Sequence, residues 1–200
     1  MTFLDYIIIL IMAIVLIIGG YQFYFWAQKH VFFKKRQLLT FIDSWFSHKP
    51  AWVWVYSGLY YPIIIFSVLT IESMRHFNYV FFSYFILLAA HMIVFVIFPV
   101  EVPEHWRKNI EGKTLSERFL KMIHKIDAPS NCFPSMHVSV AMLTSLHLMR
   151  NIPQLGIWAM LFPLAISLSV LYTKQHYFLD IPSGLLFGWG AFRIFELIYI

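Results

Sequence analysis

Apolar and polar positions alternate along this chain in long blocks. Six apolar runs cover residues 3–25, 51–71, 78–98, 134–150, 153–173 and 177–199. Each is about 17 to 23 residues long, enough for a helix to cross a hydrocarbon layer of ~30 Å. In lipid a spanning segment must satisfy its own backbone, so each run is read as a helix. The pattern predicts an all-α, polytopic membrane protein: a six-transmembrane-helix bundle forming a single integral membrane domain over 1–200. The first run has no basic segment before it, carries Asp5 and lacks a small-x-small cleavage site, so it reads as a retained helix rather than a signal peptide. Two polar blocks separate the runs. Residues 26–50 mix Lys29, Lys34, Lys35 and Arg36 with Phe, Leu and Trp, a pattern that predicts an interfacial helix in the headgroup region. Residues 99–133 form the one long polar loop, while 72–77, 151–152 and 174–176 are short connections. Alternating crossings put 26–50, 99–133 and 174–176 on one membrane face.

Composition agrees with this class. Hydrophobic residues make up 60% of the chain and charged residues 12%, about half the charged share of a soluble domain. The net charge of +5 favours membrane lipids and an anionic substrate as partners. It does not suggest nucleic acid, since no basic face of a soluble domain is present. Cys132 is the sole cysteine, so the chain holds no internal disulfide and no cysteine metal cluster. The cations are lopsided. Lys29, Lys34, Lys35, Arg36, Lys49, Arg107, Lys108, Lys113, Arg118, Lys121, Lys125 and Lys174 share one face, against Arg75, Arg150 and Arg193 on the other. By the positive-inside rule that face is cytoplasmic.

Chemistry gathers on the same face. His176 and Asp180 in "TKQHYFLD" are four residues apart, so on a helix they share a face. A carboxylate that accepts from one ring nitrogen fixes the tautomer and leaves the other nitrogen as a base or nucleophile. The alternative is a structural hydrogen bond between two polar groups at the interface. An aspartate within a span costs about 2.5–3.5 kcal/mol and so calls for a partner. In "NCFPSMHVSV", Pro134 suits a first helical turn, and the amides of Ser135, Met136 and His137 would then form an anion site at a helix start. The Ser135 hydroxyl adds a donor, and His137 can present a proton; a plain capped helix start is the simpler reading. Together these are the parts of a phosphoryl-transfer site. His176 attacks phosphorus with Asp180 holding it, Ser135 and the amides bind the oxygens, and His137 protonates the leaving group. His91 and His147 read as bundle-facing core histidines, and His105 and His124 as loop residues.

"FPSMH" at 133–137 and "HYFLDIPSG" at 176–184 resemble the second and third signature motifs of the type 2 phosphatidic acid phosphatase superfamily. Those motifs read Pro-Ser-x-His and, further on, Ser-Arg, five residues, His, three residues, Asp. Pro134, Ser135, His137, Ser169, His176 and Asp180 match, within a motif-bearing core of about 99–190. The motif arginine is replaced by Val170, and the first motif is not found as such. Lys174, Arg107 and Lys108 are the candidates to supply a phosphate clamp in its place. The arginine-free form is most similar to the inositolphosphorylceramide synthase-like branch. The resemblance implies an enzyme that cleaves or transfers the phosphate of a lipid phosphate ester through a phosphohistidine, without metal or other cofactor. The implied catalytic residues are His176, His137 and Asp180. It further implies a site on the extracytoplasmic face of a plasma, inner or endomembrane, against the charge count. Hydrolysis to the alcohol, transfer of a headgroup to a second lipid and a non-catalytic membrane role are the three readings that the residues leave open.

Overall fold

The computed structural model describes residues 2–30, 32–108 and 110–199, with the side chain of Lys108 outside that description. It is all-helical. Helix α1 spans Phe3–Lys29 and starts at a capping box in which Thr2 and Asp5 bond each other's backbone amides. It is apolar all round and buries only Ile9 and Ala27, which is how a lipid-facing helix reads. Helix α2, Tyr60–Leu69, continues a run that starts at Pro50 and passes through a π-helical turn at Trp54–Leu59. Helix α3 is Met74–Ile97 with Ser73 as its cap. After two helices in the polar loop, α4 (His105–Lys108) and α5 (Leu115–Ile126), come α6 (Met136–Asn151), α7 (Leu161–Tyr172) and α8 (Asp180–Ile198).

Among the described residues five segments are long and apolar enough to cross a membrane: Phe3–Lys29, Pro50–Leu69, Met74–Ile97, Pro153–Tyr172 and Asp180–Ile198. The remaining apolar run forms α6, 16 residues long, which packs against α2, α3, α7 and α8. Its polar residues are absorbed inside the bundle. Ser139, Thr144, Ser145 and His147 are all buried, with Ser145 Oγ donating to the Ala159 carbonyl at 2.8 Å.

Helices α6 and α8 approach unusually closely because Gly184 and Gly188 face α6. A methyl group at Gly184 would sit 2.8 Å from the Ser135 carbonyl oxygen, and one at Gly188 would overlap the Ser139 carbonyl. Small residues four apart let two backbones meet in this way. The contact fixes the start of α6 against the start of α8.

Segment 26–50 does not form the interfacial helix that its composition suggests. Helix α1 runs on to Lys29, and among the described residues 32–49 the sole helical turn is the 3-10 helix Phe41–Trp45. The reason is tertiary pairing. The Arg36 amide donates to Pro99 O, the Glu101 amide to Arg36 O and the Lys49 amide to Tyr172 O, so the segment is stitched to its neighbours. The amphipathic helix occurs instead in the polar loop, as α5, capped by Thr114 and Glu117. The three polar segments nevertheless meet on one face, as alternation requires.

Candidate active site

His176 sits in the turn between α7 and α8, not on a helix. The sixth apolar run becomes helical only at Asp180, three residues later than the hydropathy boundary, because the Asp180 carboxylate reaches back to accept from the Tyr177 amide at 2.8 Å. A carboxylate at a helix N-terminus also meets the favourable end of the dipole. From there Asp180 Oδ2 lies 3.1 Å from His176 Nδ1. The Cys132 carbonyl lies 2.8 Å from the same nitrogen. A backbone carbonyl can only accept, so Nδ1 carries the proton and Nε2 holds the lone pair. This tautomer assignment does not depend on the charge of Asp180.

His137, in the first turn of α6, faces His176 with ring centroids 6.1 Å apart. It lies between two tyrosines of the α2 run. The rings of Tyr56 and Tyr60 are 4.5 and 5.0 Å from it, and Tyr56 Oη is 3.5 Å from His137 Nδ1. The π-helical turn at Trp54–Leu59 carries Tyr56; such turns are frequent at functional sites.

Ser135 is the N-cap of α6, so Pro134 precedes the helix instead of opening it. The Ser135 hydroxyl accepts from the Val138 amide at 3.4 Å, and its own amide donates to the Asp180 carbonyl at 3.1 Å. Fully buried, Ser135 joins α6 to α8. The first-turn amides left over are those of Met136 and His137, and both residues line a cavity.

That cavity, of about 440 Å³, lies among α1, α2, α3, α5 and α6. Leu16, Ile17, Ile64, Leu87 and Leu88 make most of its wall apolar, and tyrosines 21, 24, 56, 60, 61 and 84 add aromatic surface. His137, His176, Asp127, Asn131 and Ser57 add polar groups to the lining. An apolar chamber ending at two histidines matches a lipid with a polar head.

The three cationic candidates separate. Lys174 is engaged elsewhere: its Nζ donates to the Asp43 carbonyl at 3.0 Å and lies 4.4 Å from the centre of the Trp106 ring. Burial lowers its pKa, with Asp43 opposing the shift. Arg107 donates from Nη1 to the Asp127 carbonyl and from Nη2 to Gln175 Oε1, each at 2.7 Å. Its Nε is buried without a partner. Arg107 is thereby bonded to the residue preceding His176. Lys108 lies in α4, but its side chain is outside the described residues. Val170, at the position of the motif arginine, is fully buried in an apolar cluster with Tyr56, Val138 and Ile166, where a guanidinium would have no solvent. Its carbonyl still accepts from the Gln175 amide at 3.0 Å and so shapes the His176 turn.

Several site residues escape sequence reasoning. Buried Asp43 accepts from the Phe178 amide at 2.7 Å and from the Thr40 amide and hydroxyl, tying the extended segment to the His176 turn; "TFID" does carry a Thr-x-x-Asp capping signal. Asp127, Tyr56, Tyr60 and Asn131 carry no motif at all. His91, by contrast, is the core histidine its position suggests, bonded to Leu87 O at 2.8 Å and Ser139 Oγ at 3.0 Å.

This is the arrangement of an integral membrane protein with a paired-histidine site beneath a lipid-sized chamber. The profile of the PAP2 superfamily matches residues 27–194, and the chain belongs to that superfamily. No curated protein and no solved structure matches it. Membership supports a phosphatase-type lipid phosphoesterase activity in general.

Proposed function

We propose that this protein is a metal-independent lipid phosphate phosphatase that works through a phosphohistidine on His176. The observation that carries this reading is the Cys132 carbonyl at 2.8 Å from His176 Nδ1, which leaves Nε2 as a free nucleophile lining the chamber. Nε2 attacks phosphorus, the P–O bond to the lipid breaks, and His137 gives its proton to the leaving oxygen. Asp180 stabilises the cationic ring as it forms. The Met136 and His137 amides and the Arg107 guanidinium, rather than Lys174, offset charge on the phosphoryl oxygens. Water then attacks the phosphohistidine, the P–N bond breaks, and His137 takes up the proton. The chamber holds the apolar part of the lipid, and the site opens on the extracytoplasmic face of its membrane.

The test is chemical trapping. Brief reaction with 32P-labelled phosphatidic acid in detergent, followed by alkaline quench, should leave acid-labile, base-stable label on His176. The label should be absent from His176→Ala. Label on His137 that persists in His176→Ala would overturn the assignment of roles.

A further inference from the structure

Helix α5 carries two apolar faces, and the bundle covers one of them. Leu120 is buried with Val53 and Ile110, and Phe119 and Ile123 pack against that cluster. Leu115, Met122 and Ile126 are instead 70%, 50% and 60% exposed. Their spacings of seven and four residues return them to one side of the helix. Arg118, Lys121 and Lys125, all exposed, line the edge of that side away from Leu120. The one acid on the helix, Glu117, accepts from the Lys113 and Thr114 amides. Among the described residues neither Lys121 nor Lys125 has an acidic partner.

Where α5 lies decides what its uncovered face meets. Its end is tied to α1, since Tyr24 Oη and Gln28 Nε2 each donate to Asp127 Oδ1 at 2.8 Å. Its start is tied to the α2 run: Trp54 Nε1 donates to Ser116 Oγ at 3.0 Å, and the Trp54 and Phe119 rings are 5.1 Å apart. Tyr24 and Gln28 belong to the last turns of α1, and Trp54 to the start of the Pro50–Leu69 span. Helix α5 therefore runs crosswise between the site-side ends of two spans. At 1.5 Å per residue its anchors lie roughly 2–8 Å from those ends, close to the depth at which interfacial helices rest in a bilayer.

We infer that α5 is an interfacial anchor: Leu115, Met122 and Ile126 enter the acyl boundary, and Arg118, Lys121 and Lys125 hold anionic headgroups of bilayer lipids that are not the substrate. Hydrocarbon suits the uncovered apolar face, and a row of unopposed cations suits lipid phosphates. A second copy of the chain meeting this face with its own would bring the same cations and no acid to pair with them. The inference does not depend on the chemistry of the histidines. It bears on that chemistry because Ile123 and Ile126 also line the chamber, so headgroups held by α5 lie at the border of the chamber.

The test reads membrane depth rather than activity. Met122→Cys and Lys113→Cys are each labelled with a nitroxide maleimide in the full-length protein, where native Cys132 is buried and stays unlabelled. Vesicles are made of phosphatidylcholine alone or with about a third phosphatidylglycerol, which supplies the anionic surface. Power saturation then compares collision with oxygen, which concentrates in lipid, against collision with nickel(II) EDDA, which stays in water. The label at 122 should favour oxygen and the label at 113 nickel, with a larger contrast in phosphatidylglycerol. Lys121→Gln combined with Lys125→Gln should remove most of the phosphatidylglycerol effect, because each lysine near an anionic surface is worth about fivefold in binding. Arg118 is kept in that variant for its bond to the Gly112 carbonyl. Equal nickel accessibility at 122 and 113 would overturn the docking. So would a response that ignores phosphatidylglycerol, or one that survives the double substitution undiminished. Dipolar broadening between labels at 122 on separate molecules would give the face to a second copy and overturn it too. Each of these failures leaves the phosphatase reading intact.

Discussion

At the scale of single residues, the two histidines differ in what holds them. His176 is clamped by a carbonyl and a carboxylate on one nitrogen, whereas His137 stands between aromatic rings with one long contact to Tyr56. Their substitutions should therefore fail differently. His137→Ala should lose rate severely with a lipid alkoxide leaving group, by about 10²–10⁴-fold for a missing general acid. It should lose far less with p-nitrophenyl phosphate, whose leaving group needs little protonation; equal losses on the two substrates would remove His137 from that role. The cation positions give a second contrast. Arg107→Met should slow phosphohistidine formation about 10²–10³-fold, the size of one lost preorganised donor. Lys174→Met should cost about 1 kcal/mol of stability through its carbonyl bond and Trp106 contact and little rate. A quench-flow comparison of the two variants decides; the reverse order would return the clamp to Lys174.

At the scale of elements, the geometry of the proposed site depends on how closely α6 and α8 approach. Gly184 and Gly188 leave no room for a side chain against the Ser135 and Ser139 carbonyls. The Ser135 amide, bonded to the Asp180 carbonyl, joins the two helix starts at the level of the histidines. Gly188→Leu should force the helices apart and cost about 1–3 kcal/mol or more, as overpacking does. Thermal unfolding in detergent measures this, with Gly190→Leu as the control, since nothing lies within 4 Å of a side chain there. Equal melting shifts for the two variants would show that the α6–α8 contact is not close. Sequence reading placed each apolar run within four residues of its helix at both ends, because apolar length alone decides them. It missed the start of α8, where the Asp180 carboxylate sets the boundary, and the shape of 26–50, where hydrogen bonds to 99–101 and Tyr172 outweigh amphipathic pattern.

At the scale of the whole molecule, charge bears on which side of the membrane the site faces. The cation count on that face favours the cytoplasm, yet cations that gather an anionic lipid to the proposed site would bias the count in the same way. Cysteine labelling resolves this cleanly because Cys132, the sole native cysteine, is buried. Lys113, by contrast, has an exposed side chain in the polar loop. In intact cells Lys113→Cys should react with a membrane-impermeant maleimide, as an extracytoplasmic site requires. Protection until the membrane is permeabilised would put the site inside.

Sequence by itself determined the class, the number of apolar runs, the face on which the polar segments gather, and the His137, His176 and Asp180 set. Each of these is written locally, in run length or in short spacing. Tertiary structure decided what spacing cannot carry. It brought Tyr56 to His137 across 81 positions and Cys132 to His176 across 44. Through Asp127 it joined α1 to the end of α5, across 103 positions at Tyr24. It also tied Lys174 to the Asp43 carbonyl and Arg107 to the Asp127 carbonyl and the Gln175 side chain, although the two are equally plausible as sequence. The physical reason is that a buried polar group must find a partner wherever the fold supplies one, and in a helix bundle that partner comes from a different helix.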